Sequence, residues 1–534
     1  MAEQTVTVGV GALSIEDVIA VARGGAKVAI SDESKHEMAL SRAVIDHLAD
    51  DTVPHYGIST GFGALASTSI PKEQRAQLQK SLIRSHAAGA GPEVEREVVR
   101  GLLVLRLSTL CTGRTGVRPE TAQVYADMLN AGITPVVYEY GSLGCSGDLA
   151  PLAACALVAM GEGEARNADG RKIGGGEALR AAGITPVDLK EKEGLALVNG
   201  TDGMLGMLCM AITDLRLLLK TADIAAAMSV EGMLGNDRVF AADLQALRPH
   251  RGQGDSAANI VRMLKGSGLI EAGRPGSTVR VQDAYSLRCT PQVHGAARDT
   301  VEYAASVAGV ELASAIDNPC VTLDGRVESN GNFHGAPLAY VLDFLAIPTA
   351  DVASISERRT DRFLDVARNR GLPAFLAGDP GVDSGRDLPA PWKLPLDSRR
   401  RHRLRNEAQR RARLGRFDSE LRHAGRSRVD GLGRRPQAAP VDSGLCARAG
   451  RGTAVLLPLL RLPQAVPSGC GGRRRIPRGA PVRQRNRPRR TRYLDHPANR
   501  RRSQRHPLRR NPIRRRSCRR PPEIDVSSLI RGGY

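Results

Sequence analysis

The residue types and spacing most able to do unusual chemistry in this chain are three in a row, Cys145-Ser146-Gly147, inside the segment Gly141-Ser-Leu-Gly-Cys-Ser-Gly-Asp-Leu-Ala-Pro-Leu152. If the backbone bends tightly there, the amide nitrogen of Gly147 attacks the carbonyl carbon of Cys145. Loss of two waters then leaves a 4-methylidene-imidazol-5-one, with Ser146 reduced to an exocyclic methylene. Glycine suits the attacking position because, lacking a Cβ, it tolerates both the geometry and the close approach. Burial and strain must hold it there. As composition alone, the segment is a polar turn feeding a helix at Asp148. The product would be an electrophile made without metal or nucleotide. The glycine runs Gly174-Gly-Gly176 and Gly9-Val-Gly11 lack the spacing and the following Lys-Ser/Thr of a phosphate loop.

Four more segments place reactive side chains on glycine-rich or irregular stretches. They are His55-Tyr-Gly-Ile-Ser-Thr-Gly-Phe-Gly63, Leu195-Ala-Leu-Val-Asn-Gly-Thr201, Val281-Gln-Asp-Ala-Tyr-Ser-Leu-Arg-Cys289 and Gly331-Asn-Phe-His-Gly335. Singly, each has an ordinary reading. Tyr56 is a core or surface tyrosine, Asn199 an N-cap ahead of a long helix, and Phe333 a core phenylalanine. Together with the tripeptide, in this order, they resemble the aromatic amino-acid ammonia-lyases and aminomutases across about residues 5 to 385.

That resemblance implies a large, elongated, mainly α helical-bundle body with catalytic loops, and assigns roles. Cys145, Ser146 and Gly147 form the ring, and Tyr56 is the base that removes a β-proton. Asn199 lies beside the ring and the substrate amine; Gln282 and Tyr285 line the pocket; Arg288 holds the substrate carboxylate; Phe333 packs near the electrophile. A planar guanidinium fork suits a carboxylate. A phenol titrates near 10 and needs a neighbouring cation or positive dipole to act as a base at neutral pH. Two positions depart from the family's usual residues: Cys145 stands where alanine is common, contributing only backbone to the ring, and Ala284 replaces a proline. Ser85-His86-Ala-Ala-Gly resembles the histidine-specific branch, where the His contacts the substrate imidazole. The implied reaction is L-histidine to trans-urocanate and ammonia, the first step of histidine degradation, in a homotetramer whose sites combine subunits. A phenylalanine or tyrosine branch of the same family is the alternative.

The elements that must position these residues are mostly helical. Thr5 to Val10 alternates like a short strand, and Ser14 and Ser31 precede segments with apolar residues at three- and four-residue spacing. Pro92 and Pro119 sit where helices would begin. Met204 to Leu234 is apolar around most of its circumference, as a helix buried inside a bundle is. Further apolar helices are expected over Val293–Ile316 and Pro337–Asp365, the last with a bend at Pro348.

Charge divides the chain in two. From Arg386 onward there are 41 basic against 10 acidic residues, a net of +31, and Lys393 is the only basic residue there that is not Arg; residues 1–385 carry a net of −10. A +21 chain suggests a nucleic-acid partner, but the tail, with one Lys, one Phe and two Tyr, is poor in the residues that nucleic-acid-binding arms mix with Arg. The resemblance stops after Gly378–Gly385. Permissible codons for Gly415–Gly433, read one base later, give VDSIPSSAMQEDHVSMGW, which is similar to the family's segment carrying an acidic pocket residue. Residues 386–534 are therefore expected to be an out-of-frame reading of the family's C-terminal helices. Cysteines 111, 145, 155, 209, 289 and 320 show no CxxC spacing, against a zinc site or disulfide framework. No apolar run reaches the roughly 20 residues that span a bilayer. A cytoplasmic protein without membrane or nucleic-acid partner is expected.

Overall fold

The computed structural model describes residues 4–272 and 282–373. The proposed boundary at Gly385 and everything read from residues 386–534 lie outside the described residues.

The chain opens with β1 (Thr5–Val8), α1 (Ile15–Ala22), β2 (Lys27–Ile30) and α2 (Asp32–Ala49). β1 and β2 pair in parallel, Thr5 opposite Lys27. Both expected caps form: Ser14 accepts from Asp17 N and the Asp17 carboxylate accepts from Ser14 N, a reciprocal box, while Ser31 accepts from Ser34 N. Next come α3 (Lys72–His86), β3 (Ala90–Glu93), α4 (Arg96–Cys111), α5 (Pro119–Asn130), β4 (Thr134–Pro135), β5 (Tyr138–Tyr140) and α6 (Leu149–Ala159). Pro119 opens α5 as expected. Pro92 does not open a helix: it lies in β3, which pairs antiparallel with β5 through an irregular register, and α4 starts at Arg96. A proline donates no N–H, so a two-stranded ribbon with a broken ladder accommodates it as readily as a first helical turn.

After β6 (Glu164–Arg166), β7 (Lys172–Gly174), α7 (Gly175–Ala181) and α8 (Glu193–Val198) comes the principal helix, α9 (Asp202–Gly232). Then follow α10 (Ala242–Ala246), α11 (Arg251–Leu264), α12 (Gly268–Ala272), α13 (Tyr285–Arg288), α14 (Thr290–Leu312), the pair β8 (Cys320–Val321) and β9 (Val327–Glu328), and α15 (Ala336–Leu364), which continues through Pro348. α9 packs against α4, α11, α14 and α15. Its first half is buried on nearly every side by Met204, Leu205, Leu208, Cys209, Ile212 and Leu215, so a 31-residue helix of this composition is core rather than surface. By length and composition α8–α9 and α15 are both apolar enough to cross a bilayer; the apolar window is 94% buried within the protein in the first and 28% in the second.

Two apolar clusters matter for the site. The larger surrounds α4, α6 and the N-terminal half of α9. The smaller, with Ala227, Val230, Met233, Phe240, Ile260 and Leu287, gathers at the C-terminal end of α9.

Candidate active site

The tripeptide occupies a tight loop ahead of α6. Leu143 N donates to Gly147 O, Gly147 N to Gly144 O at 3.1 Å, and Gly335 N to Gly144 O at 2.8 Å. Gly144 and Gly147 both have positive φ, 70° and 74°. A Cβ on Gly147 would stand 2.2 Å from Gly200 O and 3.3 Å from Phe333 O, so no other residue fits there. Cys145 is exposed, Ser146 half-buried and Gly147 buried; the Cys145 Sγ and Ser146 Oγ atoms are 3.8 Å apart. These residues fit a ring built from them: the attacking nitrogen belongs to a glycine already folded back on its own loop and walled by two backbone carbonyls.

Asp148, which sequence reasoning left as a helix start, is wholly buried behind the loop. Its backbone N–H donates to Gly200 O at 2.7 Å, and its carboxylate accepts from Met204 N at 3.0 Å. Burial pushes this carboxyl up to about 6, against the bonds from Ser142, Met204 and Gly203 that favour its charge. Its position next to Gly147 was the available signal.

Asn199 ends α8 and does not cap α9. The cap position is Thr201, with no side-chain bond, and the Asn199 amide instead donates from Nδ2 to Asp317 Oδ1 at 3.3 Å and Asn318 O at 2.8 Å. An N-cap side chain must accept from the helix, whereas this one is turned to two acceptors. Tyr56 is half-buried, edge-on to Phe62 with centroids 6.4 Å apart. Its Oη accepts from Gly63 N at 3.4 Å. Among the described residues that is the one hydrogen bond its hydroxyl makes. The Tyr56 loop reaches α8 through Gln79, which donates to Gly57 O and accepts from Leu195 N. His86 closes α3; its Nδ1 lies 2.9 Å from Leu82 O. A carbonyl only accepts, so Nδ1 carries hydrogen and Nε2 is left for a ligand. Gly89, three residues on, approaches Gly141 of the tripeptide loop to 3.5 Å, measured to a Cβ built there.

Tripeptide, Asn199 and Phe333 thus meet at the N-terminal end of α9, with the Tyr56 and His86 segments packed onto the elements around them. Gln282, Tyr285 and Arg288 do not join them. Their segment lies at the other end: Asp283 accepts from Asn236 N at 2.6 Å, and Leu287 belongs to the same buried apolar cluster as Val230 and Met233. From Met204 to Val230 along a straight helix is roughly 40 Å. Gln282 is exposed and Tyr285 is 72% exposed. The Arg288 guanidinium stacks over the Tyr285 ring at 4.7 Å and donates from Nε to Asp283 O. Its Nη atoms make no protein hydrogen bond among the described residues.

Comparison with known proteins places this arrangement. The aromatic amino acid lyase family model matches residues 13–390. The chain is 64% identical over 381 residues to the histidine ammonia-lyase of Streptomyces griseus, covering 71% of this chain and 74% of that protein. It is 44% identical over 390 residues to the Treponema denticola histidine ammonia-lyase, covering 73% and 76%. Among solved structures, the tyrosine aminomutase of Streptomyces globisporus superposes with a TM-score of 0.71 at 32% identity, covering 85% of each chain. The Trypanosoma cruzi histidine ammonia-lyase does so with 0.70 at 32%, covering 86% of this chain and 81% of that one. With a self-bent Cys-Ser-Gly loop at the head of its central helix and matches of this extent on either side of it, the chain belongs to the aromatic amino acid lyases, a family of carbon–nitrogen lyases.

Proposed function

We propose that this protein is a histidine ammonia-lyase: it removes ammonia from L-histidine without oxidation to give trans-urocanate. The observation that carries the reading is the enclosure of Gly147, whose α-carbon sits where a Cβ would strike the Gly200 carbonyl at 2.2 Å. It supports a 4-methylidene-imidazol-5-one made from Cys145, Ser146 and Gly147, which supplies an electrophilic carbon that captures the substrate amine. Tyr56 takes the β-proton at Oη, and the Asn199 amide lies beside the amine. Arg288 offers its free Nη edge to the carboxylate, with Gln282 and Tyr285 lining the same wall and Phe333 packing near the ring. Nε2 of His86 meets the imidazole N–H. The 64% identity to a protein named for histidine favours this substrate over phenylalanine or tyrosine.

A catalytic set divided between the two ends of α9 supports a site assembled from more than one copy, in a homotetramer. So do the exposed apolar side chains Leu217, Met228, Tyr303, Val310 and Tyr340 on α9, α14 and α15. The six unpaired cysteines among the described residues support a cytoplasmic setting. Residues 386–534 we read as a shifted frame of the family's helical C-terminus, on their Arg-rich composition and the overlapping reading of Gly415–Gly433. The test is to restore the frame near codon 385 and compare both proteins with histidine, phenylalanine and tyrosine. The restored chain is expected to form urocanate and ammonia from histidine, and the chain as written to aggregate or turn over far more slowly. Equal rates would defeat the frame reading; faster product formation from phenylalanine or tyrosine would defeat the substrate reading.

A further inference from the structure

A group of buried charges with no role so far surrounds the Asn199–Gly200 turn that meets the tripeptide loop. Lys192 is fully buried and has φ 69°, a left-handed backbone that side chains other than glycine rarely adopt. Its Nζ donates to Asp317 at 2.5 Å and to Thr115 O at 3.3 Å. Taking an ion pair out of water is costly, and a packed apolar pair usually serves stability as well or better. What these charges accomplish is local. With one oxygen fixed by Lys192, Asp317 accepts from Asn199 Nδ2 through the other, and Asn318 O accepts from the same nitrogen. Both acceptors can only accept, so both amide hydrogens are consumed and Oδ1 is the atom left over. Arg106, also fully buried, holds the same turn by its backbone carbonyls. It donates to Ala196 O at 3.3 Å, Asn199 O at 3.0 Å and Ile316 O at 3.0 Å. The next residue is Gly200, whose carbonyl accepts from Asp148 N and walls in Gly147. A continuous run of contacts therefore leads from Lys192 through Asp317, Asn199 and Gly200 to the nitrogen-bearing glycine.

We propose that Lys192, Asp317 and Arg106 are positioning residues that brace the Asn199–Gly200 turn against Gly147, holding its nitrogen toward the Cys145 carbonyl carbon for ring closure. This rests on the ring assigned under the proposed function. In the closure a bond forms between Gly147 N and the Cys145 carbonyl carbon. The Cys145 oxygen leaves as water with the hydrogens of Gly147 N and Ser146 N. Ser146 Oγ leaves as a second water with the Ser146 Cα hydrogen. Nothing is oxidised or reduced overall.

Ring closure is read by mass, independently of turnover. The peptide spanning residues 141–152 is taken from soluble, folded protein, in the full chain as written and in the frame-restored chain, and its loss of two waters is followed with time. Lys192→Met/Asp317→Leu keeps an apolar pair in the buried space while removing the acceptor for Asn199; Asp317→Asn removes only the charge. Asp223→Asn serves as the control, since it breaks a comparable buried cluster with His294 and Ser256 away from the loop. The double variant is expected to keep its helical content and close the ring at least ~10-fold more slowly per folded molecule, and Asp223→Asn to close it at the parental rate. Parental closure in the folded double variant overturns the proposal. So does a loss that only tracks the loss of folded protein. A folded parent that never loses water defeats the ring reading itself, and this inference with it.

Discussion

At the N-terminal end of α9, Gly147, Asp148, Asn199 and Phe333 lie among polar groups whose bonds are mostly made within the chain; at its C-terminal end, Tyr285 is 72% exposed and Arg288 stacks on it, its Nη edge without a hydrogen bond among the described residues. The first end is what building an electrophile requires: backbone pressed on backbone, with buried charges to hold it. The second offers what the proposed function asks of a substrate wall, a guanidinium and two exposed polar side chains. On the proposed function, one chain completes the prosthetic chemistry, and the catalytic set closes when the C-terminal end of another copy meets it.

The largest effect that tests this contrast is Ser146→Ala in the frame-restored chain, which removes the oxygen whose departure makes the methylene. Urocanate formation should fall at least ~10³-fold, and mass analysis should show no second water lost. Arg288→Gln should lower kcat/KM by about 10²-fold, as expected for removing one partner of a buried charge pair, while leaving ring closure intact. Mixed and reassembled, these two variants should regain activity, because some sites then pair an intact tripeptide with an intact Arg288. No regain on mixing would break the comparison, placing both groups within one chain.

A smaller effect concerns Asp148. Burial raises its folded-state carboxyl to about 6 from the ordinary 3.8. A carboxyl raised in this way stabilises the fold only while protonated, so its contribution is fully present below pH 3.8 and is lost as pH rises through 6. Relative to Asp148→Asn, which does not titrate, the parent should lose up to about 3 kcal/mol over that interval, by denaturant unfolding at a series of pH values. A constant difference across the interval would show that the carboxyl is not buried as described.

The helical body was legible because its signals are periodic. The apolar repeat over Met204–Leu234 marks a helix found at Asp202–Gly232, and Ser14 and Ser31 cap where their side chains can reach the next turn. The tripeptide and its neighbours were legible because their chemistry depends on residues adjacent in sequence. Lys192 and Asp317 were not. They lie 125 residues apart, and isolated charges in text look like surface charges whether or not folding buries them together. Asn199 misled for a related reason: an asparagine before a helix reads as a cap until a distant carboxylate is known to claim its amide. Nor does sequence order reveal that Arg288 and Cys145 sit at opposite ends of one helix.

The smallest expected effect is the most discriminating for the exposed end. Tyr285→Ala removes a large aromatic ring, a change that in a core costs several kcal/mol. Here the ring is 72% exposed, and its interaction with Arg288 is a solvent-facing stack worth about 0.5–1 kcal/mol. Unfolding of the dissociated chain should therefore shift by no more than about 1 kcal/mol, whereas the reassembled frame-restored enzyme should lose activity well beyond that, since the same ring then lines a closed pocket. A large stability loss in the dissociated chain would mean that Tyr285 is already packed before any second copy arrives, and the division of labour between the two ends of α9 would not hold.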